Sequence, residues 1–148
     1  MSMSMVVRDA RPEDSDRVAM LLTQLGYPTT GEQVSGRLAY WREDRFSRVL
    51  VAEESGSVAG CLSVHAIPYL ERTGRWARIE SLVVDAAVRA AGVGRLLVTA
   101  AEATAEGWGC LGMEVTSSRD RDDAHAFYRR LGFADVCDRS GRFLKDLS

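Results

Sequence analysis

The chain has 148 residues, 46% of them hydrophobic and 27% charged, enough apolar side chain for one globular domain, 1–148, around a single core. Its formal charge of -2, from 19 basic and 21 acidic side chains, gives no overall basic field and argues against a nucleic-acid partner. No apolar run approaches the roughly 20 residues of a membrane helix, and Met1 to Met5 carries no basic-then-apolar leader, so a soluble cytoplasmic protein with no membrane partner is expected.

In chain order, residues 5–8 read as a first strand and 9–14 as a turn into a helix over 14–25, with Val18, Leu21, Leu22 and Leu25 at helical spacing and Gly26 as its stop. Thr30 or Gly31 caps a second helix over 32–42, which carries Val34, Leu38 and Trp41 on one face. Residues 48–54 and 58–67 are strand-like runs joined by a tight turn, and a third run covers 75–84. Between 93 and 108, Val93, Leu97, Ala100, Ala101, Thr104 and Trp108 recur at intervals of three and four, the pattern of an amphipathic helix. A strand over 111–116 follows, then a helix capped by residues 120–123 with Ala124, Phe127, Tyr128 and Leu131 on one stripe. Closing strands are expected at 133–137 and 142–145. The order β-α-α-β-β-β-α-β-α-β-β predicts an α/β protein with one mixed sheet. Cys61, Cys110 and Cys137 are odd in number and scattered, which suits buried free thiols and offers no metal site.

The stretch Arg89-Ala90-Ala91-Gly92-Val93-Gly94 stands between a strand that runs out at Asp85 and a helix expected to open at Gly94. A helix N-terminus aims unpaired N–H groups and a positive dipole end at one point, which attracts an anion. Arg89 adds charge, and the two glycines remove side chains that would keep a phosphate from the backbone. A P-loop would need Lys then Ser or Thr after the last glycine, where Arg95 and Leu96 stand. A dinucleotide fingerprint would need Gly or Ala where Leu97 stands. A plain tight turn remains the alternative.

The Arg-x-x-Gly-x-Gly loop, the order of elements and the later run from Ala124 through Phe127, Tyr128, Leu131 and Gly132 to Phe133 together resemble the GNAT superfamily of N-acetyltransferases, over nearly the whole chain. The resemblance implies a mixed, mostly antiparallel sheet, splayed at its centre and flanked by about four helices. It implies acetyl-CoA as acetyl donor, with its pyrophosphate at Arg89, Ala90, Ala91, Gly92, Val93, Gly94 and Arg95. The pantetheine arm would lie along the main chain of Leu82, Val83 and Val84. Tyr128 also belongs to the implied cofactor site, as does Ser118, which stands where many members have Asn.

Acetyl transfer to an amine needs a base for the ammonium and an acid for the leaving thiolate. Glu80, just before the cofactor-facing segment, is the candidate base, acting through water; a structural carboxylate paired to Arg78 is the alternative. Tyr128 is the candidate acid, since a phenol is protonated at neutral pH; plain packing is the alternative. Tyr27, His65, Tyr69, Arg121 and His125 are candidate substrate contacts. The 117–128 segment, His65 and the closing residues 142–147 also resemble aminoalkylphosphonate acetyltransferases, although the Glu of that subgroup falls one place later, at Ser81 here. Cys61 and Cys110 sit in settings too apolar for an acyl carrier, so direct transfer to a small primary amine in a ternary complex is expected. The rivals are acetylation of a protein N-terminus or lysine, and a non-catalytic acyl-CoA-binding module, which would need the loop but neither Glu80 nor Tyr128. Relatives that pair through sheet edges suggest a homodimer.

Overall fold

The computed structural model describes residues 4–116 and 122–148, with the side chains of 89–91 outside the described set. Two compact units are present, Met1–Thr116 and Ser117–Ser148.

In the first unit, β1 (Met5–Asp9) leads through a 3-10 turn at Pro12–Asp14 into α1 (Ser15–Leu25). That corner is held by charge: both guanidinium Nη atoms of Arg8 donate to Asp14, at 2.8 and 3.0 Å, and the Arg11 N–H donates to the same carboxylate at 2.7 Å. Gly26, at φ 113°, ends α1 in the left-handed conformation that lacks penalty only for glycine. α2 (Gly31–Glu43) opens on a capping box in which Gln33 N–H donates to Thr30 Oγ1 and Thr30 N–H donates to Gln33 Oε1. Both helices bury one stripe. Val18, Ala19 and Leu21 of α1 and Val34 and Leu38 of α2 share a core with Val51, Cys61 and Val83 of the sheet.

The sheet has five strands in the order β1-β2-β3-β4-β5, where β2 is Ser47–Glu54, β3 Ser57–Pro68, β4 Arg75–Val84 and β5 Cys110–Val115. The first four are antiparallel neighbours, and β5 runs parallel to β4 because the chain returns through a crossover helix, α3 (Val93–Gly107). Gly60 and Cys61 point to opposite faces, as successive strand residues must. Cys61 enters the α1 and α2 core, while a Cβ on Gly60 would stand 3.0 Å from Val93 and 3.1 Å from Leu97, so α3 covers the other face. The stripe of α3 runs through Val93, Leu97, Val98, Ala101 and Ala105, all buried.

Two irregularities of β4 matter most. Ser63 pairs with Ser81 and Val64 with Ile79, so Glu80 is an extra residue bulged out of the β3–β4 ladder. On its other side, β4 pairs with β5 only as far as Ile79 opposite Val115; beyond that point the two strands share no register among the described residues.

The second unit holds α4 (Asp122–Arg130), acidic in its first turn and basic in its last, as the helix dipole favours. Gly132 closes it at φ 95°. The strands expected at 133–137 and 142–145 do not form. A strand exists only where a ladder partner takes its N–H and C=O groups, and among the described residues of this unit there is none. Local turns take up the backbone instead: Cys137 N–H donates to Asp135 Oδ1 at 3.0 Å and Arg139 N–H to the Val136 carbonyl at 2.9 Å. All three cysteines are free, but only Cys61 is buried; Cys110 is half-buried and Cys137, in the turn region, is exposed, against the expectation of burial for all three. Burial pushes the Cys61 thiol up to about 12.

Candidate active site

After Val84 the chain makes a tight path to α3. Asp85 accepts the Ala87 N–H at 3.1 Å and so caps the 3-10 segment Ala86–Ala91. Gly92 follows at φ 78°, ψ 15°, and its carbonyl takes the Leu96 N–H at 3.2 Å. The helix therefore opens at Val93, one residue earlier than the glycine spacing suggests, because Gly92 itself serves as the cap and Gly94 falls within the first turn. A Cβ on Gly92 would meet no heavy atom within 4 Å. The cradle is open, and the N–H groups of Val93, Gly94 and Arg95 lead it without intrahelical acceptors. Such a cradle fits a pyrophosphate.

Asp85 is also a junction to α1. Arg17 donates to its Oδ2 at 3.0 Å and Gln24 to its Oδ1 at 3.3 Å, while Gln24 Oε1 accepts the Ala86 N–H at 3.0 Å. The Ala87 N–H, then Gln24, then Arg17 hold the Asp85 carboxyl below its usual range. Arg17 and Gln24 lie two turns apart on one helical face. That spacing acquires meaning only once the end of β4 is known to lie beside them.

Glu80 is exposed at the bulge and carries both partners on one oxygen. Arg78 Nε donates to its Oε1 at 2.6 Å, and His65 Nε2 stands 3.3 Å from the same atom. Arg78 also donates to Glu114 Oε1 at 2.8 Å and to Thr116 Oγ1 at 3.1 Å. These contacts follow from register, since His65 lies opposite Arg78 and Arg78 opposite Glu114 across three strands. Burial alone would lower the Arg78 value, but its bonds to Glu114 and Glu80 outweigh it and leave the guanidinium firmly charged. The Trp41 ring of α2 packs on His65 with centroids 5.7 Å apart and a 32° tilt. The pairing of Glu80 with Arg78 is the contact the sequence reading weighed as a structural role; the joining of Trp41, His65, Glu80, Arg78 and Glu114 in one row is not visible in it.

Leu82, Val83 and Val84 follow Glu80 along β4, beyond the last residue paired with β5, with the Val83 side chain buried in the α1 and α2 core. Tyr27 is exposed beyond the end of α1. Tyr69 packs edge-on against Trp76 and under the Arg72 guanidinium. Trp76 is four residues before Glu80, roughly 13 Å along the strand, so Tyr69 belongs to the far end of β4. In the second unit, His125 and Tyr128 lie three apart on α4, and the Tyr128 ring meets Phe127 and Phe133 at 5.5 and 5.9 Å. Ser118 and Arg121 lie outside the described residues, as do the side chains of Arg89, Ala90 and Ala91. Among the described residues no three His, Cys, Asp or Glu side chains gather to hold a metal ion.

A glycine-capped helix N-terminus directly after a strand is a cradle that suits a pyrophosphate-bearing cofactor. Residues 16–133 match the acetyltransferase (GNAT) family, and the chain belongs to that family, whose acetyl donor is acetyl-CoA. It is 37% identical over 81 residues to blasticidin-S acetyltransferase of Streptomyces morookaense, a match that covers 54% of either protein and so spans about half the length of that relative. A transcriptional regulator from Bacillus halodurans C-125 superposes with a TM-score of 0.84 at 25% identity, over 97% of this chain and 99% of that one. An aminoglycoside N-acetyltransferase in complex with CoA shares the fold at a TM-score of 0.85 and 16% identity, over 100% of this chain and 98% of the other. No helix among the described residues is long and apolar enough to cross a membrane.

Proposed function

We propose that this chain, working as one domain over 1–148, is a cytoplasmic enzyme that moves the acetyl group of acetyl-CoA to the primary amine of a small molecule, by direct transfer in a ternary complex. The observation that carries this reading is the placement of Glu80, an exposed carboxylate on a bulge, just past the last described β4–β5 pair. Acetyl-CoA supplies the thioester. The loop of Arg89, Ala90, Ala91, Gly92, Val93, Gly94 and Arg95 holds its pyrophosphate, and the main chain of Leu82, Val83 and Val84 holds its arm, with Ser118 adding a hydroxyl. Glu80 takes the ammonium proton through water, and Tyr128 gives one to the departing sulfur.

Carboxylates at Glu80 and Glu114 favour a cationic amine, and the identity with a blasticidin-S acetyltransferase favours a small molecule over a protein terminus. Tyr27, His65, Tyr69, Arg121 and His125 are the side chains we assign to its recognition, with an aminoalkylphosphonate or similar amine as acceptor. Pairing of two copies through a sheet edge belongs to the same reading, and light scattering at the mass of one chain would remove it.

The test is thiol release from acetyl-CoA against aminophosphonates, aminoglycosides, polyamines, amino acids and short peptides. Turnover with a small amine is expected; turnover with peptides alone would move the reading to protein acetylation, and silence throughout would leave an acyl-CoA-binding module. Tyr128→Phe should bind acetyl-CoA as before while its kcat falls about 100-fold.

A further inference from the structure

His65 is not absorbed by a simple contact role. Its Nε2 is buried and has no hydrogen-bond partner among the described residues, although Glu80 Oε1 lies 3.3 Å away at an angle that makes no bond. A buried ring nitrogen left unsatisfied is costly, and Glu80 Oε1 is the acceptor that the fold places beside this one, within reach of a small turn of the ring. The geometry is fixed from several sides. Trp41 of α2 stacks on the ring, Ser47 of β2 and Arg78 of β4 flank it in register, and the β4 bulge brings Glu80 back toward it. The charged groups that face the ring are Glu80 and Arg78 from β4 and Asp44 from the segment after α2. The side chain is 31% exposed, so water reaches the ring away from Nε2.

Resting on the proposed function, we propose that His65 is the proton-accepting partner of Glu80: the proton that Glu80 takes from the substrate ammonium passes to His65 Nε2 and leaves through the exposed part of the ring. The balance closes. The ammonium loses one proton along this route to bulk water, its nitrogen bonds to the acetyl carbon as the C–S bond breaks, and the second nitrogen proton goes to the sulfur, giving amide, free thiol and one released proton. Arg78 positions the pair. Its guanidinium holds Oε1 and leaves Oε2, which bonds nothing among the described residues, for the substrate side. On this route His65 acts through Glu80 and not on the thioester.

Two arms test it. The chain has two histidines, so His125→Gln assigns the imidazole resonances, and ring 15N NMR follows His65 in the full chain. Glu80→Gln should shift the His65 Nε2 resonance, because it replaces the carboxylate 3.3 Å from that nitrogen. An unmoved Nε2 resonance overturns the proposal, whether or not any amine is turned over. In the kinetic arm, His65→Gln should lower kcat about tenfold or more, keep KM for acetyl-CoA, and change the shape of the kcat profile against pH. A pH profile of unchanged shape overturns it even if the rate falls, since a merely structural histidine would move rate without shape. Silence of the wild type across the amine panel counts against the proposed function and leaves the NMR arm to decide the pairing.

Discussion

Asp14 shows how much one side chain contributes at the first corner of the chain. Its side chain is 8% exposed and takes two bonds from Arg8, itself 15% exposed, which also donates to Glu53 at 3.2 Å and to the Asp9 carbonyl at 3.0 Å. Removing one member of such a pair strands the other, so Asp14→Asn should cost about 3 kcal/mol, measured by urea unfolding. The hydrogen bond from Arg8 first, and then the Arg11 N–H, hold the Asp14 carboxyl below its usual range against the opposing effect of burial. The contribution is therefore fully present above the unfolded value of about 3.9 and is lost as pH falls through the lower folded value. In that acid window the wild type should lose stability relative to Asp14→Asn, and a constant difference between them from neutral pH to pH 2 would contradict this account. Arg8 and Asp14 are six residues apart in sequence, yet nothing in their pattern marks them as partners until the 3-10 turn folds them together.

The cofactor loop separates the work of two glycines that look alike in sequence. Gly92 sits at φ 78° and caps α3, so Gly92→Ala should cost about 1–2 kcal/mol from backbone strain alone, there being open space around the added methyl. Gly94 is helical, so Gly94→Val should change stability by about 0.5 kcal/mol or less, yet weaken acetyl-CoA binding about tenfold or more by putting branched methyls where N–H groups meet phosphate. Calorimetric binding beside thermal melts distinguishes the two; a Gly94→Val protein with unchanged affinity would move the phosphate elsewhere. Most helices and strands of the first unit were legible because each carries its own signal: the stripe of α3, the Gly26 stop of α1, the Thr30 cap of α2, the apolar runs of β2 and β3. What was not legible depends on neighbours. The strand-like runs at 133–137 and 142–145 make no strand without a ladder partner, and Glu80 acquires its bulge, its Arg78 bond and its His65 contact only from the register of β3 and β5. Position 80 could be picked out as a candidate, but its surroundings belong to three strands and a helix.

At the level of the chain as a unit of stability, acetyl-CoA should act as a folding ligand. At a hundred-fold excess over Kd, binding to the folded state alone adds ~2.7 kcal/mol, a rise in Tm of about 5–10 °C for a protein of this size. No rise at millimolar acetyl-CoA would contradict the assigned donor. Gln24 and Arg17, far from the loop in sequence, tie α1 to the start of it through Asp85 and Ala86, so Gln24→Ala should reduce that rise while leaving the ligand-free Tm within about 1 °C. The end of the β4–β5 ladder at Ile79 and Val115 can be read directly by isotope labelling. Within residues 80–83, amides directed at β3 are in a ladder and should keep their protons for hours, whereas alternate amides have no β5 partner among the described residues. A single strand should thus exchange with deuterium at two rates, residue by residue, and the fast set should slow when the donor's arm is bound.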